Sequence, residues 1–353
     1  MTGNLFILAS VFTTFILFFV AKLSNPEPLK LFSFLAQITG LIGSVLISWN
    51  FILSTRNRFL EKIFDGLDKV YKTHNILGNI AFILVINHPI FLILNSLPFN
   101  TTKLYLIPNL NNLPYAFGIL SLYSLIILVA LTIFIDLPYK IWKKTHEVMG
   151  LVIIFGSLHS LLITSDISVF LPLKIWILSF NVIAIIAYLY KRYFYYFFKP
   201  KNNYAVIDIS HEKNYLLITL SARDPSRFIK FEAGQFAFFS LNNNPRDEHP
   251  FSILEQDSET IKIGTKVIGK FTLELTQLTA GSKVNVYGPF GTFSNNLSRA
   301  TEMVWISGGI GITPFLSMIK KINQNQKVTM IHTARLDEPK LFTDLFKNYS
   351  YFF

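Results

Sequence analysis

Cysteine is absent from this sequence of 353 residues. Its absence removes disulfides, thiolate haem ligands, iron–sulfur clusters and cysteine-based zinc sites together, and leaves His, Met or Tyr as the axial ligands open to any haem. Charge is scarce too: Asp, Glu, Lys and Arg make up 15% of the residues against 51% hydrophobic ones, which is too apolar for a chain that lies wholly in water. Acidic residues are the scarcer sign, 21 against 32 Lys and Arg, for a net charge of +11. That excess does not point to nucleic acid, because the basic residues stand beside apolar runs and form no basic tract interleaved with polar recognition residues. The first apolar stretch lacks a basic n-region and an A-x-A-like cleavage site, so it is expected to remain as an anchor. Internal repeats and low-complexity tracts are also lacking.

Six segments are long and apolar enough to cross roughly 30 Å of hydrocarbon: Leu5–Lys22, Leu31–Leu53, Tyr71–Asn95, Tyr115–Ile135, His146–Thr164 and Phe170–Tyr190. Past Lys199 the pattern changes to short alternating strands with turn residues, so a helical membrane domain is expected to precede a soluble one. Arg56, Arg58, Lys62, Lys69 and Lys72 follow the second span, Lys140, Lys143 and Lys144 follow the fourth, and Lys191 and Arg192 follow the sixth. The other side offers Lys22, Lys30, Lys103 and Lys174. The positive-inside rule then places the N-terminus and the soluble domain in the cytoplasm of a multi-pass protein, expected in the plasma membrane.

An ionisable side chain within a span is a functional candidate, since burying it in hydrocarbon is costly without a partner. Four of the seven histidines fall in two spans, His74 and His88 in the third, His146 and His159 in the fifth. At 1.5 Å per residue these separations are about 21 and about 20 Å, the spacing two stacked haems need across one bilayer. Fourteen residues return to within about 40° of the starting face, whereas thirteen leave an offset of about 140°. The fifth helix is therefore expected to twist or unwind locally, most easily near Gly150 and Gly156. One such His often serves only helix packing, but two pairs matched in depth are hard to obtain by chance.

This spacing, the six spans and the soluble tail resemble the ferric reductase and NADPH oxidase superfamily. The resemblance implies that His74 with His146 binds an inner haem b and His88 with His159 an outer one. Bis-histidine haems of this kind pass electrons and have no open position for substrate.

In the soluble half, Phe231-Glu232-Ala233-Gly234-Gln235-Phe236 and His249-Pro250-Phe251-Ser252-Ile253 resemble the flavin-binding barrel of the ferredoxin reductase superfamily. That likeness implies that Gln235, His249, Pro250 and Phe251 lie at bound FAD, with the Ser252 hydroxyl near flavin N5 as the catalytic contact; a solvent-facing turn suits His249 equally well. Gly269-Lys270-Phe271-Thr272 resembles the family's second flavin motif, where helix N-terminal amides receive the pyrophosphate. Val286-Tyr287-Gly288-Pro289-Phe290-Gly291 follows in the family's order, and that order is stronger evidence than any one string. Next come a buried strand at Met303–Ile306 and the turn Ser307-Gly308-Gly309-Ile310-Gly311-Ile312-Thr313-Pro314. The turn departs from G-x-G-x-x-G, with Pro314 in place of the third glycine, but resembles the Gly-Gly-x-Gly-x-Thr-Pro turn of NAD(P) domains. By this likeness Gly308, Gly309, Gly311, Thr313 and Pro314 meet the nucleotide. Arg335 is placed either for a nucleotide phosphate or as a solvated surface residue. The sequence ends at Phe353, before the family's further strands, which implies either a fragment or an incomplete nucleotide site.

The expected fold is thus a six-helix transmembrane haem-binding bundle (residues 1–198), an antiparallel β-barrel FAD domain (199–298) and a partial α/β nucleotide-binding domain (299–353). The implied activity is NAD(P)H-dependent electron transfer through FAD and two haems b to an extracytoplasmic acceptor, a ferric chelate or O2 giving superoxide. The alternative is a haem-bearing electron-transfer subunit serving a separate redox partner. The bilayer and a small-molecule acceptor are the expected partners, with nucleic acid excluded and a protein partner left open.

Overall fold

The computed structural model describes residues 2–25, 28, 30–96, 98, 102–199, 202–241, 244, 246–295 and 297–334. Arg335 lies outside the described residues. The chain divides into two compact units, Met1–Phe197 and Phe198–Phe353.

The first unit is helical. Its elements are α1 (Thr2–Ser24), α2 (Leu31–Leu53), α3 (Arg58–Phe64), α4 (Leu67–Asn95), α5 (Thr102–Leu106), α6 (Leu113–Ile133), α7 (Tyr139–Glu147), α8 (Gly150–Leu162), α9 (Asp166–Val169) and α10 (Leu171–Leu189), followed by a π-helical turn, Tyr190–Phe194. Six helical stretches among the described residues are long and apolar enough to cross a membrane; the fifth joins α7 and α8 as Tyr139–Leu162, and the sixth runs from Leu171 to Phe198. Leu5, Phe12, Ile127 and Ile186 are each more than half exposed, as lipid-facing side chains must be. Several basic residues expected in loops stand on helices instead: Lys69 and Lys72 open α4, and Lys140, Lys143 and Lys144 lie on α7. Long aliphatic stems let such residues hold their charge at the interface from within a helix.

Hydrocarbon gives no hydrophobic drive between helices, so close backbone approach and buried hydrogen bonds must hold the bundle. Both are present. A Cβ on Gly43 of α2 would stand 2.7 Å from Val85 Cγ2 of α4. Ser44 and Ser48 donate to Asn181 Oδ1 on α10 at 3.1 and 3.4 Å. Indole N–H groups tie the first helix in, Trp49 to Ser10 Oγ and Trp176 to Thr14 Oγ1, both at 2.9 Å.

The second unit begins with the end of α11 (Tyr195–Phe198) and continues with β1 (Asn202–Glu212), β2 (Tyr215–Ala222), β3 (Phe236–Leu241), β4 (His249–Gln256), β5 (Thr260–Lys266), α12 (Lys270–Leu275) and β6 (Lys283–Phe290). These strands close an antiparallel barrel in the order β1-β2-β5-β4-β3-β6. Alternate residues fill it, with Leu216, Ile218 and Leu220 from β2 and Ile261 and Ile263 from β5 each at most 2% exposed, as the two-residue period of a strand requires. Next, β7 (Glu302–Gly308), a 3-10 turn (Gly309–Ile312), α13 (Thr313–Ile319) and β8 (Lys327–Thr333) form a parallel strand–helix–strand unit. A shared buried cluster joins it to the barrel: Tyr215 and Leu254 pack with Trp305, Phe315, Leu316 and Met330.

An ion-pair bridge reinforces that junction. Glu255 on β4 meets Lys320, which follows α13, and Lys262 on β5. The hydrogen bond from Lys320 holds the Glu255 carboxyl below its ordinary range. A carboxylate with a depressed folded pKa contributes stability above its unfolded pKa and loses it as the pH falls through the folded one. Glu255→Gln is therefore expected to lower the thermal midpoint by only about 1–3 °C at pH 7, since the pair is half exposed. Melting curves of wild type and variant should converge as the pH drops below about 4.3; a gap that widens in acid would contradict this assignment.

Candidate functional site

Helices α4 and α7–α8 bring the four membrane histidines together in two pairs. The rings of His74 and His146 have centroids 6.2 Å apart, those of His88 and His159 6.3 Å, with an interplanar angle of 68° in each. A metal–imidazole bond of about 2 Å on either side, plus roughly 1.1 Å from ring nitrogen to ring centre, separates two axial imidazoles by about 6.3 Å. Among the described residues no group of three or more His, Cys, Asp or Glu is placed to hold an ion. Two-ligand pairs suit a metal whose remaining ligands arrive with it, as an iron porphyrin's do.

Three of the four rings are held by backbone. Nδ1 of His74 lies 3.1 Å from the Asn50 carbonyl, that of His88 2.6 Å from Ala36, and that of His159 2.7 Å from Pro114. A carbonyl only accepts, so each of these Nδ1 atoms carries the proton and leaves an Nε2 lone pair for a metal. Asn50 also grips His74 through its side chain. With its amide oriented to match its neighbours, it donates to the His74 carbonyl at 2.8 Å and accepts from the Gly78 N–H at 3.0 Å.

The offset expected in the fifth span is relieved where the helix breaks. α7 ends at Glu147 and α8 starts at Gly150. Between them the N–H groups of Val148, Met149, Leu151 and Val152 donate to carbonyls three residues back, at 2.9 to 3.1 Å. Such bonds turn the chain about 120° per residue instead of about 100°, which recovers part of the shortfall between His146 and His159. Gly150 is needed there for a second reason: a Cβ would stand 2.2 Å from Tyr188 Cζ on α10.

Two glycines that the sequence reading passed over shape the outer pair. A Cβ on Gly40 would lie 2.8 Å from His88 Nδ1, and one on Gly118 2.9 Å from His159 Nδ1. Each glycine stands four residues after the carbonyl its histidine uses, Gly40 after Ala36 and Gly118 after Pro114. That carbonyl already accepts within its own helix, and only a missing side chain uncovers it to a donor from the next helix. The repeated offset is a signal that was present in the sequence. Pro89, directly after His88 within α4, is another, since its missing N–H frees a carbonyl one turn earlier.

In the second unit the motif residues meet across β3 and β4, with Phe236 opposite Ser252, Ala237 opposite Phe251 and Phe238 opposite Pro250. Ser252 is half-buried, and its hydroxyl takes no hydrogen bond from the described residues. His249 stacks on Phe271 with centroids 4.0 Å apart, and its Nε2 lies 3.0 Å from Asp247 Oδ1. Phe271 is 6% exposed and belongs to the barrel core, with Phe251 packed against it. Gln235 is engaged structurally: its Oε1 accepts from the Glu232 N–H at 2.8 Å and its amide donates to the Gly291 carbonyl at 3.2 Å. Thr272 Oγ1 accepts from the N–H groups of Ile268 and Gly269, both at 3.0 Å. The first intrahelical bond of α12 runs from Leu273 N–H to Gly269, so the amides of Lys270, Phe271 and Thr272 precede it as open donors.

At the glycine turn, Gly309 has φ +48° and Gly311 has open space where a Cβ would go. A Cβ on Gly308 would touch Thr333 Oγ1 at 3.4 Å. Pro314 occupies the first turn of α13, where a missing N–H costs no bond, and this accounts for proline in place of the third glycine. Thr313 is buried beneath the turn. Ser317 Oγ on α13 accepts from the Gly234 N–H at 2.8 Å, which ties the turn before β3 to α13.

Residues 39–157 match the family described as ferric reductase like transmembrane component. A probable ferric reduction oxidase 1 of Arabidopsis thaliana is 33% identical over 85 residues, 21% of this chain and 12% of that one. A superoxide-generating NADPH oxidase heavy chain of Dictyostelium discoideum is 24% identical over 139 residues, 34% of this chain and 27% of that one. In these segments the chain is similar to ferric reductase and NADPH oxidase proteins. A probable dihydroorotate dehydrogenase B (NAD(+)) electron transfer subunit of Methanocaldococcus jannaschii is 31% identical over 121 residues, 34% of this chain and 44% of that one. The chain thus spans less than half the length of each of these relatives. All four paired histidines except His159, and both glycine slots, lie within the matched ferric reductase segment.

The slots carry their own prediction. Gly40→Ala and Gly118→Ala each push a Cβ into an imidazole, and if the His88–His159 pair holds a haem, loss of the carbonyl contact is expected to weaken its retention about 10- to 100-fold. Haem content per chain after dilution and gel filtration measures it. Wild-type retention in both variants would show that the slots do not set the ligand geometry.

Proposed function

We propose that this chain is a membrane oxidoreductase that takes electrons from cytoplasmic NAD(P)H and delivers them to an acceptor on the far side of the bilayer. The observation that carries this reading is the two histidine pairs, equal in ring separation and angle, set about 21 Å apart along one span. When bound, FAD would supply conversion of a hydride into single electrons, and two b-type haems their relay across the membrane. His74 and His146 would hold and orient the inner group, His88 and His159 the outer one, with the ligating tautomer of His74, His88 and His159 set by the backbone carbonyl at each Nδ1. On the barrel, the Ser252 hydroxyl would donate a hydrogen bond at the flavin's reacting nitrogen, a role carried over from the resemblance, and the amides that open α12 would receive pyrophosphate. Gly308, Gly309 and Gly311 let backbone approach the nucleotide at the N-terminus of α13. Arg335 is assigned to a nucleotide phosphate by resemblance alone.

The basic residues on the loops and helix ends named above support a cytoplasmic N-terminus and soluble unit. At the outer end α2 carries Gln37 near Gly40 and no arginine within the span, so the span itself offers no cation to an anionic product. We infer a permissive outer site that reduces soluble ferric chelates at least as readily as O2. A second reading, an electron-transfer subunit feeding a separate partner, is favoured by the likeness to the M. jannaschii protein. Purified full chain should show two b-type haems by pyridine haemochrome, bound FAD, and haem bands that reduce anaerobically on adding NADPH or NADH. Absence of haem would end the proposal. Haem and flavin without nucleotide-driven reduction would favour the second reading, and superoxide formation without anaerobic iron reduction would make the protein an oxidase.

A further inference from the structure

His146 differs from the other three membrane histidines. Its Nδ1 is buried with no hydrogen-bond partner, whereas theirs lie on carbonyls. An imidazole without such a bond is ordinarily free to rotate about its side-chain torsions, and its tautomer is not set. The backbone gives little help, because His146 stands on the last turn of α7, just before the stretch of three-residue turns. Yet His146 meets His74 at 68°, the angle at which His88 meets His159. Something other than a hydrogen bond holds the ring.

The neighbour on the same helix face is Trp142, four residues earlier. Its ring is nearly parallel to that of His146, at 17°, with centroids 5.3 Å apart, and four-residue spacing brings such side chains together. Trp142 is backed in turn by Tyr139, stacked at 28° and 5.8 Å. These distances are those of offset-stacked rings. A tryptophan near a membrane surface is often only an interfacial anchor. That role does not account for a parallel stack onto the one paired histidine that lacks a hydrogen bond.

We propose that Trp142 is the positioning residue of His146, holding by ring stacking what the Asn50, Ala36 and Pro114 carbonyls hold for the other three. The proposal rests on the haem reading of the pairs given above. It makes the inner site dependent on one indole, and the outer site, about 21 Å along α4, independent of it.

The test uses purified full chain carrying both haems, with Trp142→Leu and Trp142→Phe variants. Inner and outer low-spin ferric EPR signals are told apart by comparison with His88→Ala, and haem release is followed by transfer to excess apomyoglobin. Trp142→Leu is expected to broaden or shift the inner signal alone and to speed loss of that haem about 10- to 100-fold. Trp142→Phe keeps a flat ring to stack on and should restore both readouts toward wild type. Unchanged inner signal and release in Trp142→Leu would overturn the proposal, as would equal loss of both haems from Trp142→Leu with no rescue by Trp142→Phe. A wild type without haem would overturn the reading of the pairs and this proposal with it, whereas a two-haem wild type insensitive to Trp142→Leu overturns this proposal alone.

Discussion

Replacing His88 or His159 by alanine is expected to remove one of two haems, leave the other, and abolish electron delivery to an extracytoplasmic acceptor. The effect is expected to be all-or-none because, among the described residues, no third His, Cys, Asp or Glu is grouped with the pair to replace a lost imidazole. The inner pair should keep its haem, since its ligands come from other turns of the same helices, and NAD(P)H-driven reduction of a soluble dye by the flavin unit should continue. His74→Ala or His146→Ala should give the reciprocal loss. Haemochrome content and low-temperature spectra of the four variants decide the matter. Retention of both haems in all four would refute the pairing and with it the proposed path.

The second large effect is expected at Ser252. Its hydroxyl is half-buried on β4, opposite Phe236, with no hydrogen bond from the described residues, so alanine removes a donor without stranding a partner. If that donor meets charge developing at the flavin, Ser252→Ala should slow flavin reduction by about 100-fold. Haem content and the melting midpoint should not change. Stopped-flow reduction by NADPH and by NADH measures the effect, and wild-type rates with both nucleotides would take Ser252 out of the site.

Some expected site residues also serve the fold. Gln235 matches a flavin motif, but both ends of its amide are engaged with Glu232 and Gly291. Thr272 ties down two amides ahead of α12, and the Phe271 side chain lies in the barrel core. A motif string cannot separate these roles, because a residue that shapes a turn and one that touches a ligand on that turn occupy the same place in it. The barrel and the strand–helix–strand segment, read as separate domains, share one buried cluster. Their common core is made by Tyr215 and Leu254, residues far from α13 in the chain and brought to it only when the barrel closes.

Local sequence patterns determine much of this protein's organisation before any tertiary contact forms. Six apolar runs of bilayer length, histidines fourteen and thirteen residues apart, and flavin and nucleotide motifs in order are properties of one helix or one strand at a time. Rise per residue and side-chain period translate them directly into depth and face. What folding decided is which groups meet across elements. The fifth span turns His146 toward His74 by breaking beside Gly150, Gly40 and Gly118 uncover the Ala36 and Pro114 carbonyls, and His146 is left to stack on Trp142. The physical reason is that a backbone carbonyl is the same at every residue of a sequence, and becomes a particular histidine's partner only where two helices approach closely enough for its proton to reach.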